Sequence, residues 1–155
     1  MTKCVLEDFQ EGQTIALGEY LMTAEDIVDF ARRYDPQAFH VDPSDPRTVG
    51  LGGLLASGWH TASVFMRLAV DAYLDQAAIL TSPGVDELRW PAPVRPGDTL
   101  TGEVVIGQVR VSRSKPDRGI LMAKGALWNQ RRETVLSVNT TAFIKTRAGY
   151  EADTI

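Results

Sequence analysis

The feature that most constrains this chain is a helix-period apolar run with only strand-like runs after it. From about Trp59 to Asp75, Val64, Phe65, Leu68, Ala69 and Ala72 recur at three- and four-residue steps, with Arg67, Asp71 and Asp75 on other faces. That is the pattern of a largely buried helix. Four runs of strand character follow it, Val85 to Trp90, Thr99 to Val111, Gly119 to Asn129 and Glu133 to Lys145. The last alternates, with Leu136, Val138, Thr140, Ala142 and Ile144 on one side, and KPDRG at 115–119 and NQRRE at 129–133 supply the turns between the final three.

Ahead of the apolar helix stand a short strand at Thr14 to Leu21 and a first helix. Thr23 reads as the cap of that helix, with Glu25 and Asp26 in the first turn, where carboxylates suit exposed amides. Ile27, Phe30, Ala31 and Tyr34 share one face, and Pro36 ends the helix because the residue before a proline is driven out of the α region. DPSDPRTVGLGGLLASG, residues 42–58, carries prolines and glycines at loop density. A strand, a helix, a longer apolar helix and a meander of strands describe an α+β domain, an antiparallel sheet wrapped around a long central helix. This order suggests a hotdog fold. The 155 residues fit one domain, 1–155, with a core at about 7–145 and a fraying tail, TRAGYEADTI.

Charge and cysteine content exclude several classes of function. The formal net charge of −4, with no dense basic stripe, argues against nucleic acid as a partner. Cys4 is the single cysteine, so no intramolecular disulfide can form and no closed Cys/His zinc site can be assembled, which favours a reducing, cytoplasmic setting. MTKCVLEDFQEGQ has no signal-peptide apolar core, and the most apolar span, Ala62 to Leu80, is broken by Arg67, Asp71 and Asp75, so no membrane association is expected.

The chemistry-bearing stretch is YDPQAFHVD, Tyr34 to Asp42. Asp35 and His40 stand five positions apart, and a loop between them would let both side chains face one water, where a carboxylate and an imidazole can carry out two proton transfers. Further on, ASGWH supplies free amides at the start of the apolar helix, a preorganised donor for charge developing on a carbonyl oxygen. Gly58 has no side chain to hold a substrate away, and Ser57 is a natural cap.

At these residues the sequence resembles the MaoC-like dehydratases, close to the (R)-specific enoyl-CoA hydratases. Asp35 and His40 match the motif's Asp and His, while its Asn-Pro has become Gln37-Ala38. Gly58 lies twenty-three residues after Asp35, the same interval as one member of the family has to the glycine whose amide holds the thioester oxygen. GGLLASGW and PVRPGDTL, Pro93 to Leu100, resemble the runs into the family's central helix and into a strand. Met66 stands where some hydratases carry a serine, eight positions after the glycine. The resemblance implies a hotdog fold, usually a homodimer, an acyl-CoA thioester substrate, and no metal or organic cofactor. It implies reversible hydration of a trans-2-enoyl-CoA to an (R)-3-hydroxyacyl-CoA, with Asp35 and His40 catalytic and the Gly58 amide as oxyanion donor. The alternatives are a hotdog acyl-CoA thioesterase and a non-catalytic acyl-CoA-binding or dimerisation protein.

Around this core, Gln37, Ser57, Trp59, His60 and Ser63 are candidates for the pocket. Each also has a structural reading. Ser57 reads more as a cap than a nucleophile, because GLLASGWH lacks the G-x-S-x-G elbow. His60 can be a satisfied core residue, and Trp59, Trp90 and Trp128 can be core or interface aromatics. Gly97 and Asp98 read as turn chemistry.

Overall fold

The alternating final run becomes an interior strand of a sheet. In the computed structural model, which describes residues 3–153, five strands, β1 (Thr14–Leu21), β2 (Ile79–Arg89), β3 (Thr99–Val111), β4 (Arg118–Trp128) and β5 (Thr134–Lys145), form one sheet in the order β1-β3-β4-β5-β2. Every neighbouring pair is antiparallel. The helices are α1 (Ala24–Tyr34), α2 (Ala38–Val41), α3 (Pro46–Gly50), α4 (Gly58–Ala72) and α5 (Arg147–Ala152). This is the α+β hotdog arrangement expected above, with α4 lying in the curve of the sheet.

One glycine lets α4 and the sheet approach closely: a β carbon on Gly125 of β4 would come 2.3 Å from Phe65 Cζ. Val64, Phe65, Leu68 and Ala69 of α4 are buried there against Leu17, Leu100, Val104, Leu121, Leu127 and Val138 of the sheet. The apolar stripe of α4 thus meets the inward residues of alternating strands.

The connection before α4 departs from the expected loop. Thr23 caps α1 by accepting from the Asp26 amide at 3.1 Å, and the Asp35 amide closes the last turn on Ala31 O at 2.8 Å. After Pro36 the chain turns again into α2, so His40 lies on a short helix and is buried, with 6% of its surface exposed. Pro46 at the first position of α3, with Asp45 capping it, turns part of the glycine- and proline-rich segment helical. These residues cover the N-terminal end of α4, with Leu55 N bonded to Phe39 O and Ala56 N to Val94 O.

Other boundaries also move. The central helix ends at Ala72 and a 3-10 turn, Leu74–Gln76, follows. SPG at 82–84 does not precede a strand; it lies inside β2, where the register shifts. An edge strand has one side free of ladder bonds, so proline and bulges are tolerated there. The core also reaches beyond 7–145, because Val5, Leu6, Thr146 and Gly149 are buried. The tail forms α5, capped by Thr146, and Thr154 and Ile155 lie outside the described residues.

Candidate active site

The end of α1, the short α2 and the N-terminus of α4 bring four polar groups together. Asp35 caps α1 and projects its carboxylate toward α2 and α4. Its Oδ2 stands 3.3 Å from His40 Nε2 and accepts a hydrogen bond from Ser57 Oγ at 2.7 Å. Gln37 Nε2 donates to Oδ1 at 2.7 Å. Gln37, which stands where the family motif has asparagine, therefore reaches the carboxylate despite its extra methylene.

Burial pushes the Asp35 carboxyl upward, but donation from Gln37 and Ser57 and the charge of a protonated His40 outweigh it, holding the group below the ordinary carboxylate value. Asp35 is an anion at neutral pH.

His40 is oriented from its other ring nitrogen. Nδ1 lies 2.6 Å from Leu55 O, and a carbonyl only accepts, so the hydrogen in that bond is on Nδ1. Nε2 is then left facing Asp35 Oδ2. Phe39 packs edge-on against the ring, with centroids 4.5 Å apart. A cavity of about 330 Å³ opens beside His40, which lines it with Leu55, Gly58, Thr61, Trp90 and Val135 among others, while Asp35 stands behind the imidazole and is not part of the lining. Its remaining wall is the proline-rich connection, Pro91 to Val94, so the space next to the imidazole is mostly apolar.

Gly58 is the first residue of α4, and its amide makes no hydrogen bond among the described residues. The adjacent amides are satisfied: Trp59 N donates to Ser57 Oγ at 3.3 Å, and His60 N and Thr61 N to Ser57 O. One donor at the positive end of a 15-residue helix is thus left free at the cavity wall.

The structure brings Asp35, Gln37, His40, Ser57 and Gly58 together but separates the remaining pocket candidates. Trp59 is 59% exposed and meets Trp90 edge-to-face at 5.3 Å. His60 and Ser63 line a different cleft, about 590 Å³, with Glu19, Tyr20, Phe30 and Arg67. There His60 stacks on Phe30 at 4.8 Å and its buried Nδ1 has no hydrogen-bond partner among the described residues. Burial lowers the His60 pKa, with the charge of Asp26 opposing the shift. Thr61, Leu55 and Val135 join the site without a sequence signal, and so does Trp90, which reads from sequence as a core or interface aromatic. Among the described residues no cluster of three His, Cys, Asp or Glu is placed to hold a metal ion, and no helix is long and apolar enough to cross a membrane.

A hotdog sheet with this Asp/His pair at the mouth of its central helix defines a class, and sequence comparison names the family. The model described as the MaoC like domain matches residues 8–121, and the chain belongs to that family. A MaoC-like dehydratase from Rhodospirillum rubrum is 38% identical, with 93% of this chain and 98% of that one covered and a TM-score of 0.85. The uncharacterized protein YdeM of Bacillus subtilis is 26% identical over 140 residues, 90% of this chain and 98% of the relative. An (R)-hydratase from A. caviae involved in PHA biosynthesis is similar in fold, with a TM-score of 0.70 at 22% identity over 88% of this chain and 97% of that one.

Proposed function

We propose that the protein is a hydro-lyase acting on an acyl thioester, adding water reversibly to a trans-2-enoyl-CoA to give an (R)-3-hydroxyacyl-CoA. The observation that carries this reading is the facing of Asp35 Oδ2 and His40 Nε2 at 3.3 Å beside the cavity. Protonated, His40 donates from Nε2 to the carboxylate, the state that lowers the Asp35 pKa; neutral, with its hydrogen on Nδ1 held by Leu55 O, it offers a lone pair toward that same oxygen. Two acceptors at that distance repel unless a donor lies between them. One water can donate to both and keep its own lone pairs free for the β carbon of the substrate.

The reaction then balances on these groups. The water oxygen bonds to the β carbon as the double-bond electrons move through the α carbon onto the thioester oxygen. The Gly58 amide donates to that developing enolate oxygen. One water hydrogen stays in the new hydroxyl, and the Asp35–His40 pair takes the other and returns a proton to the α carbon as the thioester carbonyl reforms. The apolar wall from Trp90 to Val94 lines the space in which the acyl chain would lie.

We further read the chain as a single MaoC-like domain and a cytoplasmic homodimer. β2 supports the dimer, because it is an 11-residue edge strand whose residues are mostly exposed, Leu80 and Val85 among them. Light scattering at assay concentration tests it, and a monomer mass overturns it.

The activity is tested with crotonyl-CoA and with longer and branched enoyl-CoAs. Loss of the conjugated-enoyl absorbance without free thiol is the expected outcome. Release of thiol makes the protein a thioesterase, and binding without turnover makes it an acyl-CoA-binding protein.

A further inference from the structure

Ser57 joins the two halves of the site through one hydroxyl. The residue is completely buried, and its Oγ caps α4 by accepting from the Trp59 amide at 3.3 Å. The same oxygen lies 2.7 Å from Asp35 Oδ2, twenty-two residues away in sequence. A hydroxyl carries one hydrogen, and Asp35, held ionised, can only accept, so the hydrogen points at Oδ2. Oδ2 is also the oxygen that faces His40. The peptide after Ser57 carries the free Gly58 amide. The cap that starts the central helix is therefore also a strut between the carboxylate and the proposed oxyanion donor.

We propose that Ser57 is a positioning residue, whose hydroxyl fixes the Asp35 carboxylate in rotamer and in ionisation and holds it in register with the Gly58 amide. The inference rests on the hydratase reading of Asp35 and His40. A charge-assisted hydrogen bond is among the stronger ones available to a side chain, and it favours the ionised form of its acceptor. The direction of the Asp35 shift agrees: burial raises it, and donation from Gln37 and Ser57 together with protonated His40 lowers it further. From α2 the carboxylate faces His40, from α4 the neutral Ser57, and from the intervening segment the neutral Gln37. Among the described residues no lysine or arginine stands within ion-pair distance of Asp35.

A serine that only caps α4 would affect stability and nothing else. A strut predicts more: Ser57→Ala lowers kcat at least about tenfold with KM little changed, because the lost bond is one to a charged group. The acid limb of the kcat/KM profile on crotonyl-CoA also moves to higher pH. Ser57→Thr, which keeps the hydroxyl, restores both more nearly than Ser57→Ala does. A substrate-free readout separates this inference from the activity on which it rests. Carbon-13 titration of the aspartate carboxyls, with Asp35→Asn identifying the Asp35 signal, gives a higher midpoint in Ser57→Ala than in the wild type. An unchanged Asp35 midpoint with an unchanged acid limb overturns the proposal. A midpoint that is higher in Ser57→Ala, together with a wild type that hydrates no enoyl-CoA, overturns the hydratase reading and leaves the coupling of Ser57 to Asp35 standing.

Discussion

The α carbon of Gly58 lies against the indole of Trp90, so that a β carbon there would come within 2.6 Å of both Cδ2 and Cε2. No side chain fits without moving the ring or the start of α4. Gly58→Ala should therefore destabilise the protein by about 1–3 kcal/mol, the usual range for overpacking. Trp90→Ala should recover most of that loss, read by thermal unfolding. The pair also isolates the amide. Proline suits the first helical position and removes only the N–H, so in the Trp90→Ala background Gly58→Pro should hydrate crotonyl-CoA about a hundredfold or more slowly than Gly58→Ala. Equal rates in the two double variants would remove the Gly58 amide from the mechanism.

Asp35→Asn should lower kcat by about a hundredfold or more, the range for a lost acid–base group, with little change in Tm, because the amide keeps the shape and most of the hydrogen bonding of the carboxylate. His40 calls for a different choice, since it is buried and its Nδ1 holds Leu55 O. Asparagine sets an amide nitrogen near the Nδ1 position and deletes Nε2, so His40→Asn should lose activity as Asp35→Asn does while satisfying Leu55. Steady-state kinetics on crotonyl-CoA beside thermal melts check both, and full activity in either variant would refute the assignment.

Strong local signals in the sequence became elements with their ends in place. β1 and β3 run over the residues whose composition and flanking turns marked them, and Thr23 caps α1 as its hydroxyl and the acidic first turn require. Two kinds of feature were illegible. α2 is four residues long, barely one turn, and so has no period to detect. The partner that orients His40 is a backbone carbonyl, which Leu55 does not advertise by its side chain. His60 and Ser63 follow Gly58 closely in sequence, yet the helical turn carries them to the flank of α4 that faces β1 and α1, while Gly58 and Thr61 line the cavity beside His40. In β2, Pro83 and Gly84 imitate a turn because a bulged edge strand uses the same residues, Gly84 with a φ of 148°.

Gln37 tests whether the altered motif still tunes the carboxylate. Its amide donates to Asp35 Oδ1 at 2.7 Å, and the side chain is exposed, so substitution should not unfold the protein. Gln37→Glu exchanges that donor for a like charge, which should raise the Asp35 pKa and carry the acid limb of the rate profile to higher pH. Gln37→Ala removes the donor without adding charge and should give a smaller move in the same direction. Superimposable pH profiles for all three proteins would mean that Gln37 does not act on Asp35.

His60 gives the fold a pH dependence separate from that of the reaction. Its imidazole is stacked on Phe30 and buried, Nδ1 has no hydrogen-bond partner among the described residues, and burial depresses its pKa against the pull of Asp26. The unfolded chain takes up a proton on this residue near the ordinary histidine value of about 6.5. The folded protein resists until lower pH, so between those two points the unfolded state holds more protons. This contribution to stability is therefore complete above about pH 6.5 and declines as pH falls from there toward the lower folded value. His60→Leu removes the titrating group and the orphaned nitrogen together. Its Tm should fall less steeply than that of the wild type as pH is lowered from neutrality, and the difference between the two curves belongs to His60, since every other group is shared. Parallel curves would show that the folded protein accommodates the His60 proton without penalty.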